Sequence, residues 1–208
     1  MNLKGKNRFF RKIQFIRIGI LAVLIFGKSG FAFSYTLNEY AKNPFGNVLL
    51  IRHALAPGFG DPQNFDLNNC STQRNLDGEG REQAFRIGEK IKAAGIKFSK
   101  IYSSQWCSCL ETAVYMNLGQ ITEEPGLNSF FQGIVPKAKT LDRLRKRLES
   151  VEAKQELVLM ITHQVTITAV TGITVSSGGA VAFNTKSGES REVSILDLRM
   201  VVLFNLAK

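Results

Sequence analysis

Apolar residues cluster into short runs that predict buried strands. Residues 47–52 and 156–162 are almost continuously apolar, which is typical of strands covered on both faces of a sheet. Residues 100–103 form a shorter run of the same kind. Near the end of the chain, residues 180–184 and 193–206 flank a Lys-Ser-Gly-Glu segment, and this arrangement predicts a hairpin.

Between the predicted strands, apolar residues recur at the spacing of amphipathic helices. Such patterns cover residues 77–94, 105–117 and 137–154, and another helix begins over residues 164–171. A glycine follows each of the first two helices as a natural stop signal. These glycines are Gly95 and Gly119.

Two segments have no hydrophobic period and are predicted to be irregular. Residues 35–46 read as a linker, and residues 54–76 as a long loop rich in Gly, Pro, Asn and Asp. Loops of that length in a compact domain are usually functional. The alternation of strands and helices predicts an α/β layered fold with a mostly parallel sheet.

The N-terminal segment has the three parts of a secretory signal peptide. Basic residues precede an apolar run over residues 18–27, and the small residues Ala32 and Ser34 stand at cleavage-site spacing. The run is about ten residues long, whereas a membrane span needs roughly twenty. We therefore expect a signal peptide over 1–34, with an uncleaved membrane anchor as the alternative, and a periplasmic or secreted domain over 35–208.

Positive charge is concentrated in that N-terminal segment. The chain carries 27 basic and 17 acidic residues, for a net charge of +10. Seven of the basic residues fall within the first 28 positions, and no acidic residue precedes Glu39. The remainder carries about +3, so no nucleic-acid partner is expected, and membrane contact is expected only through an uncleaved N-terminal segment.

The three cysteines predict one disulfide bond. Cys107 and Cys109 are two positions apart in a predicted helix, point to different faces and should not bond to each other. Cys70 is therefore expected to pair with one of them. The spacing does not favour a zinc site, and the remaining thiol is expected to be buried and inert.

The two histidines of the chain both follow apolar strands. His53 follows residues 47–52, and His163 follows residues 156–162. Ligands of open parallel sheets bind at the carboxyl ends of the strands. Because Arg52 precedes His53 directly, this placement favours a functional site over two structural histidines.

Four motifs in chain order resemble those of the histidine phosphatase superfamily, whose members are phosphoglycerate-mutase-like. Arg52-His53-Ala54 resembles the Arg-His-Gly signature, and residues 74–84 resemble the Leu-x-x-x-Gly-x-x-Gln-Ala segment. Ser103-Ser104 with Thr112-Ala113, and residues 158–163, resemble the two later motifs. The resemblance implies a three-layer αβα sandwich with a mostly parallel central sheet.

The resemblance also implies a phosphohistidine mechanism without a metal or other cofactor. His53 would attack a phosphoryl group, and water would hydrolyse the covalent intermediate. Arg52 would hold the phosphoryl oxygens through its planar fork of donors, and His163 would donate a hydrogen bond to the same oxygens. A ring of cationic donors is the chemistry that phosphoryl transfer requires.

Ser108 is one departure from this family pattern. It stands where the family has a second phosphate-binding arginine, four residues before the Thr-Ala pair, and retains only a neutral donor. Loss of such a charged donor is expected to cost roughly 100- to 1,000-fold in turnover. Arg74, at the end of the long loop, is a candidate to bind substrate or partly replace the arginine, and the alternative for it is a salt bridge at the helix start.

The general acid is the second departure. Ser129 occupies the position of the glutamate found in mutase-like members, and this disfavours mutase activity. Asp61 in the long loop is the favoured substitute, although an Asp before Pro62 also suits a turn. Glu123 and Glu124 are the other candidates.

Several aromatic residues are candidates for the mouth of the site, although each on its own is more typical of packing. Phe130 and Phe131 lie in a predicted loop region that could cap a pocket. The full set is Phe59, Phe65, Trp106, Phe130 and Phe131.

The first functional hypothesis is an exported phosphomonoester hydrolase that acts on a phosphorylated small molecule or a phosphoprotein. Its alternative is a catalytically impaired relative that binds a phosphorylated ligand or an envelope protein, which Ser108 favours. An envelope structural protein held by an N-terminal anchor is the third hypothesis, and the retained Arg52, His53 and His163 argue against it.

Overall fold

The computed structural model describes residues 35–154 and 156–196, which contain a seven-stranded sheet between helices. Single-turn 3-10 helices lie at Cys70–Thr72, Pro125–Leu127 and Phe131–Gly133. The strands and α-helices in chain order are β1 (Tyr35–Thr36), α1 (Leu37–Lys42), β2 (Val48–Arg52), α2 (Gly78–Ala93), β3 (Lys100–Ser103), α3 (Cys107–Met116), β4 (Ile121–Glu123), α4 (Lys137–Lys154), β5 (Val158–Thr162), α5 (Gln164–Thr171), β6 (Ala180–Phe183) and β7 (Ser190–Ser194).

The sheet is mostly parallel, as predicted. Its strand order is β1-β7-β6-β2-β5-β3-β4, and only the pairs β2–β6 and β6–β7 are antiparallel. The two most apolar strands, β2 and β5, are direct neighbours, and Arg52 is paired with Thr162. Because the two strands end in register, His53 and His163 leave the sheet at the same edge.

Helices cover both faces of the sheet, so the predicted three-layer αβα architecture is confirmed. In β2, Leu49 and Ile51 pack in a cluster that includes residues of α1, α2 and α3. The alternate residues, Val48 and Leu50, pack in a second cluster with residues of α4 and α5. Burial on both faces explains why the sequence of β2 is continuously apolar.

Several element boundaries differ from those predicted. The segment predicted as a linker contains β1 and α1, with a capping box between Thr36 and Glu39. Helix α3 is followed by Asn117, which caps it in the left-handed conformation two residues before Gly119. The last described strand begins at Ser190, three residues earlier than expected, because the turn of the hairpin is shorter. Short edge elements such as β1 and β4 contain too few residues to show a hydrophobic period.

The expected signal peptide over residues 1–34 and the end of the predicted hairpin lie outside the described residues. Within the described part of the chain, every helix is too short or too polar to cross a membrane.

A disulfide bond joins Cys70, in the long loop, to Cys107 at the start of α3. It leaves Cys109 as a buried thiol, and burial raises the pKa of that thiol well above its usual range. The bond spans 37 positions of sequence, and closing a loop of this size stabilises a fold by about 3 to 4 kcal/mol in the chain-entropy description. It therefore holds the long loop against the helix that begins beside the two histidines.

Candidate functional site

The two histidines meet in a pocket at the carboxyl ends of β2 and β5. Their ring centroids are 5.3 Å apart. The pocket has a volume of about 260 Å³, which is near the lower end of the range for ligand sites. Its wall includes the six residues predicted from the sequence for catalysis and phosphate binding, namely Arg52, His53, Asp61, Arg74, Ser108 and His163.

The carbonyl of the next residue fixes the tautomer of His53. Its Nδ1 lies 2.8 Å from the carbonyl oxygen of Ala54, and since a carbonyl only accepts, Nδ1 carries the proton. The lone pair of the neutral ring is therefore on Nε2. Burial lowers the pKa of His53 to about 4, and the positive charges of Arg52 and Arg74 act in the same direction. Near neutral pH the ring is thus uncharged, the state that a nucleophile requires.

Two motif residues hold the backbone that follows His53. The hydroxyl of Thr112 accepts the amide of Ala54 at 2.9 Å, and the side-chain oxygen of Gln83 accepts the amide of Leu55 at 2.9 Å. Thr112 and Gln83 come from α3 and α2, so both helices position the nucleophile. Their motifs were recognised from the sequence, but only the three-dimensional contacts show what these side chains do.

His163 is oriented by a buried polar network. The side-chain oxygen of Asn128 accepts the amide of Gln105 at 2.9 Å and the hydroxyl of Ser104 at 3.1 Å. Because the single proton of Ser104 points to Asn128, its oxygen accepts Nε2–H of His163 at 2.9 Å. Nδ1 of His163 is then the unprotonated nitrogen, so His163 can donate to a phosphoryl oxygen only after Nδ1 gains a proton.

The protonation of His163 is controlled by burial and by charge. Burial holds the pKa of His163 well below its usual range, and His53, Arg74 and Arg52 lower it further. A bound anion would oppose the positive charges of Arg74 and Arg52, because it places negative charge beside the same ring. Proton uptake at His163 is therefore expected to accompany anion binding.

Arg52 and Arg74 form the cationic part of the pocket. The Nη1 atom of Arg52 donates to the carbonyl of Val175 at 3.1 Å, and Nη1 of Arg74 donates to the carbonyls of Ala56 and Gly58 at 3.1 and 2.7 Å. The Nε atom of each arginine is buried and has no hydrogen-bond partner among the described residues. Neither guanidinium has a salt bridge within that part of the chain.

These unpaired donors indicate what the pocket binds. Burial lowers the pKa of Arg52, and the neighbouring charge of Arg74 lowers it further, so the two cations repel each other at close range. Buried unpaired donors and buried like charges both cost free energy. An anion with several acceptor oxygens would satisfy both arginines at once. Arg74 lines the pocket and forms no salt bridge with a described residue, so the salt bridge that the sequence left as an alternative is absent from this part of the chain.

Asp61 is the carboxylate of the pocket. Its Oδ2 accepts the indole N–H of Trp106 at 2.9 Å, and its Oδ1 accepts the amide of Arg74 at 3.4 Å. Each oxygen keeps a second lone pair for a water molecule or a proton. Glu124 lies elsewhere, since Arg147 donates to it, and exposed Glu123 accepts a hydrogen bond from Gln105; neither lines the pocket. Asp61 alone of the three acid candidates has the required position.

Ser108 lies in the pocket wall at the start of α3. It is 3% exposed. Gln164 and Val165, the first residues of α5, also line the pocket. The first amides of a helix lack intrahelical acceptors and carry its positive dipole end, so both helices favour an anion here. Ser129 also lines the pocket, and its hydroxyl accepts the amide of Phe131.

The aromatic candidates separate into two groups. Trp106 is buried, stacks on Phe65 with centroids 4.9 Å apart and meets the edge of His163, so it forms part of the wall. Phe59 and Phe131 line the pocket, and Phe59 is largely exposed whereas Phe131 is about one-third exposed. The remaining candidate, Phe130, does not line the pocket and packs beneath the ammonium of Lys137.

Comparison with known proteins identifies the architecture. No protein-family model and no curated protein matches the sequence. The structure of the protein histidine phosphatase SixA with tungstate matches with a TM-score of 0.50 at 16% identity, over 70% of this chain and 92% of that chain. A candidate alpha-ribazole-5'-P phosphatase of Escherichia coli matches with a TM-score of 0.51 at 17% identity, over 73% and 96%. The chain has the histidine phosphatase fold.

A third solved structure, from an open reading frame of Mycobacterium tuberculosis, is similar over a comparable part of the chain. It matches with a TM-score of 0.50 at 16% identity, over 72% of this chain and 96% of that chain. The histidine phosphatase fold predicted from four short motifs is thus found independently from the backbone. At these identities the similarity establishes the fold, and the chemistry has to be argued from the pocket.

Acid is expected to destabilise this histidine phosphatase fold through its buried histidines. The pKa of His53 is about 4 in the folded chain and near 6.5 when unfolded, so the unfolded state binds more protons between these values. The free energy of unfolding should therefore fall as the pH drops through that window, with about 3 kcal/mol from His53 by pH 4. Denaturant titrations of the wild type and His53→Gln between pH 7 and pH 4.5 measure this contribution. An identical pH dependence in the two proteins would contradict it.

The polar network behind His163 is the part of the site that sequence reasoning missed. Ser104 lies in a motif that had been recognised, but no role followed from the motif. Asn128 precedes Ser129, and the sequence of this segment indicates only that the glutamate of mutase-like members is replaced. Their role depends on the tertiary structure, which packs β3, residues 127–129 and β5 together. In this arrangement Ser104 and Asn128 set the tautomer of His163.

Proposed function

We propose that this protein is an exported phosphomonoester hydrolase that acts through a phosphohistidine on His53. The observation that carries the proposal is the tautomer of His53. With Nδ1–H bound to Ala54, a neutral Nε2 lies in a pocket that also holds two arginines with unpaired donors. The fold shared with SixA, a protein histidine phosphatase, supports a phosphatase function, and the phosphohistidine mechanism rests on the pocket.

The proposed reaction has two displacements at phosphorus. In the first, the lone pair of Nε2 forms a bond to phosphorus, the ester P–O bond breaks, and the leaving alcohol oxygen takes up a proton. In the second, water attacks the phosphohistidine, the P–N bond breaks, and inorganic phosphate leaves. Arg52 and Arg74 stabilise the equatorial oxygens, and His163 joins them once Nδ1 is protonated.

Asp61 is the proposed proton donor and acceptor of this reaction. Its carboxylate is held by Trp106 and by the backbone of Arg74, at the wall of the same pocket as His53. A proton on Asp61 would pass to the leaving oxygen in the first step, and the carboxylate would receive a proton from water in the second.

We further propose that Ser108 reduces the rate and that Arg74 partly replaces the missing arginine. Ser108 supplies at most one neutral hydrogen bond, whereas the charge of Arg74 reaches Arg52, His53 and His163 closely enough to lower the pKa of each. The pocket therefore retains two cations, one of them drawn from the long loop and not from α3.

Trapping the intermediate is the direct test of this function. Incubation with an aryl phosphate labelled in its phosphoryl group, followed by quenching without acid, should leave label on the protein. Peptide mapping should assign the label to His53, because a phosphohistidine survives neutral but not acidic conditions. Label on another residue, or turnover without any labelled protein, would argue against the proposed nucleophile.

Arg74 is expected to contribute strongly to this activity. Its replacement in Arg74→Ala should lower kcat/KM for an aryl phosphate about 100- to 1,000-fold, the usual cost of removing a donor to developing charge. Arg81→Ala, which removes an arginine that pairs with Glu111 outside the pocket, is the matched control and should change kcat/KM less than about threefold.

Arg74 also donates to the carbonyls of Ala56 and Gly58, so Arg74→Ala removes both a positive charge and contacts within the loop. A double variant distinguishes these two effects. If Arg74 supplies phosphate-binding charge, adding Ser108→Arg to Arg74→Ala should recover at least about tenfold of the loss. No recovery would assign to Arg74 a purely structural role in the loop.

The alternative function, binding of a phosphorylated ligand without turnover, is favoured by one observation. The pocket wall at the start of α3 presents the neutral Ser108. A protein of this kind would bind phosphonates, which resist hydrolysis, but would neither turn over aryl phosphates nor accumulate phosphohistidine. The trapping experiment therefore distinguishes the two functions.

Export is part of the proposal and rests on the signal-peptide pattern of residues 1–34. The Cys70–Cys107 disulfide supports it, because such bonds persist mainly in oxidising compartments. Cell fractionation should place the protein in the periplasm or medium, or in the membrane fraction if the N-terminal segment remains as an anchor. Recovery only from the cytoplasm would contradict export.

A further inference from the structure

Two phenylalanines form the exposed edge of the pocket, and we refer to Phe59 and Phe131 as the aromatic rim. Phe59 is 87% exposed and Phe131 is 37% exposed, yet both line the cavity that contains His53. Their rings meet edge to face with centroids 5.2 Å apart. Apolar side chains that are exposed beside a cavity often contact a ligand, so the position of these two rings favours a binding role.

The rim is held by the residues at the phosphate end of the pocket. Phe59 stands between Gly58 and Gly60, whose φ angles of +94° and +68° are accessible mainly to glycine. Arg74 binds the carbonyl of Gly58, and the amide of Asp61 binds the side chain of Gln132 at 2.8 Å. The second of these contacts ties the loop of Phe59 to the segment of Phe131. These contacts fix the aromatic rim relative to Arg74.

The charged residues of the pocket limit which chemical groups can bind between the two arginines and the aromatic rim. Besides the two histidines, the described residues of the pocket lining include two arginines and one acidic residue, Arg52, Arg74 and Asp61. Both arginines act on the two histidines, because their charges lower the pKa of each. Each arginine also has a buried Nε–H without a partner among the described residues, in the pocket that holds both histidines, so both can bind the same phosphoryl group. The described lining then offers no further arginine or lysine to pair with a second anionic group.

We propose that the aromatic rim is the leaving-group subsite and selects phosphomonoesters of uncharged alcohols that carry a flat apolar ring. The inference rests on the proposed function, since it names the substrate class of the same site. A ring esterified to the bound phosphoryl group would pack on Phe59 and Phe131 and cover apolar surface that is otherwise in water. A carboxylate or second phosphate at that position would lose hydration without gaining a partner.

Matched alkyl esters test the subsite without a large change in leaving-group reactivity. Wild-type protein should hydrolyse benzyl phosphate with a kcat/KM at least about tenfold above that for ethyl phosphate. It should hydrolyse 3-phosphoglycerate, whose alcohol carries a carboxylate, more slowly than ethyl phosphate. In Phe59→Ala and Phe131→Ala the benzyl-to-ethyl ratio of kcat/KM should fall at least about threefold. Phe85→Ala, which removes an exposed ring of α2 outside the pocket, should leave the ratio as it is.

Failure of the subsite and failure of the hydrolase are distinguishable. If turnover depends on His53 but the ratio is near one, or is unaffected by both rim variants, the subsite is wrong and the hydrolase stands. Faster hydrolysis of 3-phosphoglycerate than of benzyl phosphate would also overturn the subsite. If no ester is turned over, calorimetry with benzylphosphonate and ethylphosphonate decides. Tighter binding of benzylphosphonate that Phe59→Ala abolishes supports the subsite in a non-catalytic protein, and equal or absent binding overturns it.

Discussion

Replacing His53 with alanine is expected to lower turnover of an aryl phosphate by at least about 1,000-fold, because the only proposed nucleophile is removed. The expectation rests on the ring geometry, in which Nδ1–H is bound to Ala54 and the lone pair on Nε2 is free in the pocket. No other described nucleophile is equally well prepared. The nearby Cys109 is a buried thiol whose pKa is raised by burial, so it remains protonated.

Two controls keep this result interpretable. His53→Gln retains a side-chain amide that can donate to the Ala54 carbonyl but cannot attack phosphorus, and it should be as inactive as His53→Ala. Both variants should keep the thermal stability of the wild type near pH 7 to within a few degrees, since His53 is uncharged there. Folded His53→Ala protein with unchanged kcat would show that the phosphohistidine mechanism is wrong.

Replacing Ser108 with arginine should raise kcat/KM for the same substrate at least about tenfold. The new guanidinium would extend from the start of α3 into the cavity, beside the oxygens that Arg52 and Arg74 contact in the proposed complex. Its planar fork would add charged donors where the native hydroxyl supplies one neutral donor. Ser108→Met is the matched control, because it adds a long side chain without charge and should give no gain.

A stability measurement accompanies the Ser108→Arg prediction. A third buried cation next to Arg52 and Arg74 should lower the melting temperature when phosphate is absent, because like charges repel in a partly desolvated pocket. Saturating inorganic phosphate should raise the melting temperature of Ser108→Arg more than that of the wild type, because a tighter ligand stabilises more. Equal phosphate shifts and no kinetic gain would show that position 108 does not contact the phosphoryl group.

Local pattern was sufficient for the parts of the fold that are buried on both faces. Strands β2 and β5 are apolar at nearly every position because helices cover both sides of the sheet. The same reasoning located the ends of these strands and therefore the edge at which His53 and His163 lie. It failed for β1, α1 and β4, which are too short or too near the edge to carry a period.

The sequence by itself determined the α/β class, the two histidines at strand ends and the long loop between β2 and α2. These follow from residue types and from spacing between near neighbours, which act within single elements of the chain. Tertiary structure alone decided that Cys70 bonds to Cys107 and not Cys109, that Arg74 lies beside Arg52, and that Glu124 is bound by Arg147 away from the pocket. Each of these depends on how separate elements pack, and no local period encodes which distant side chains meet.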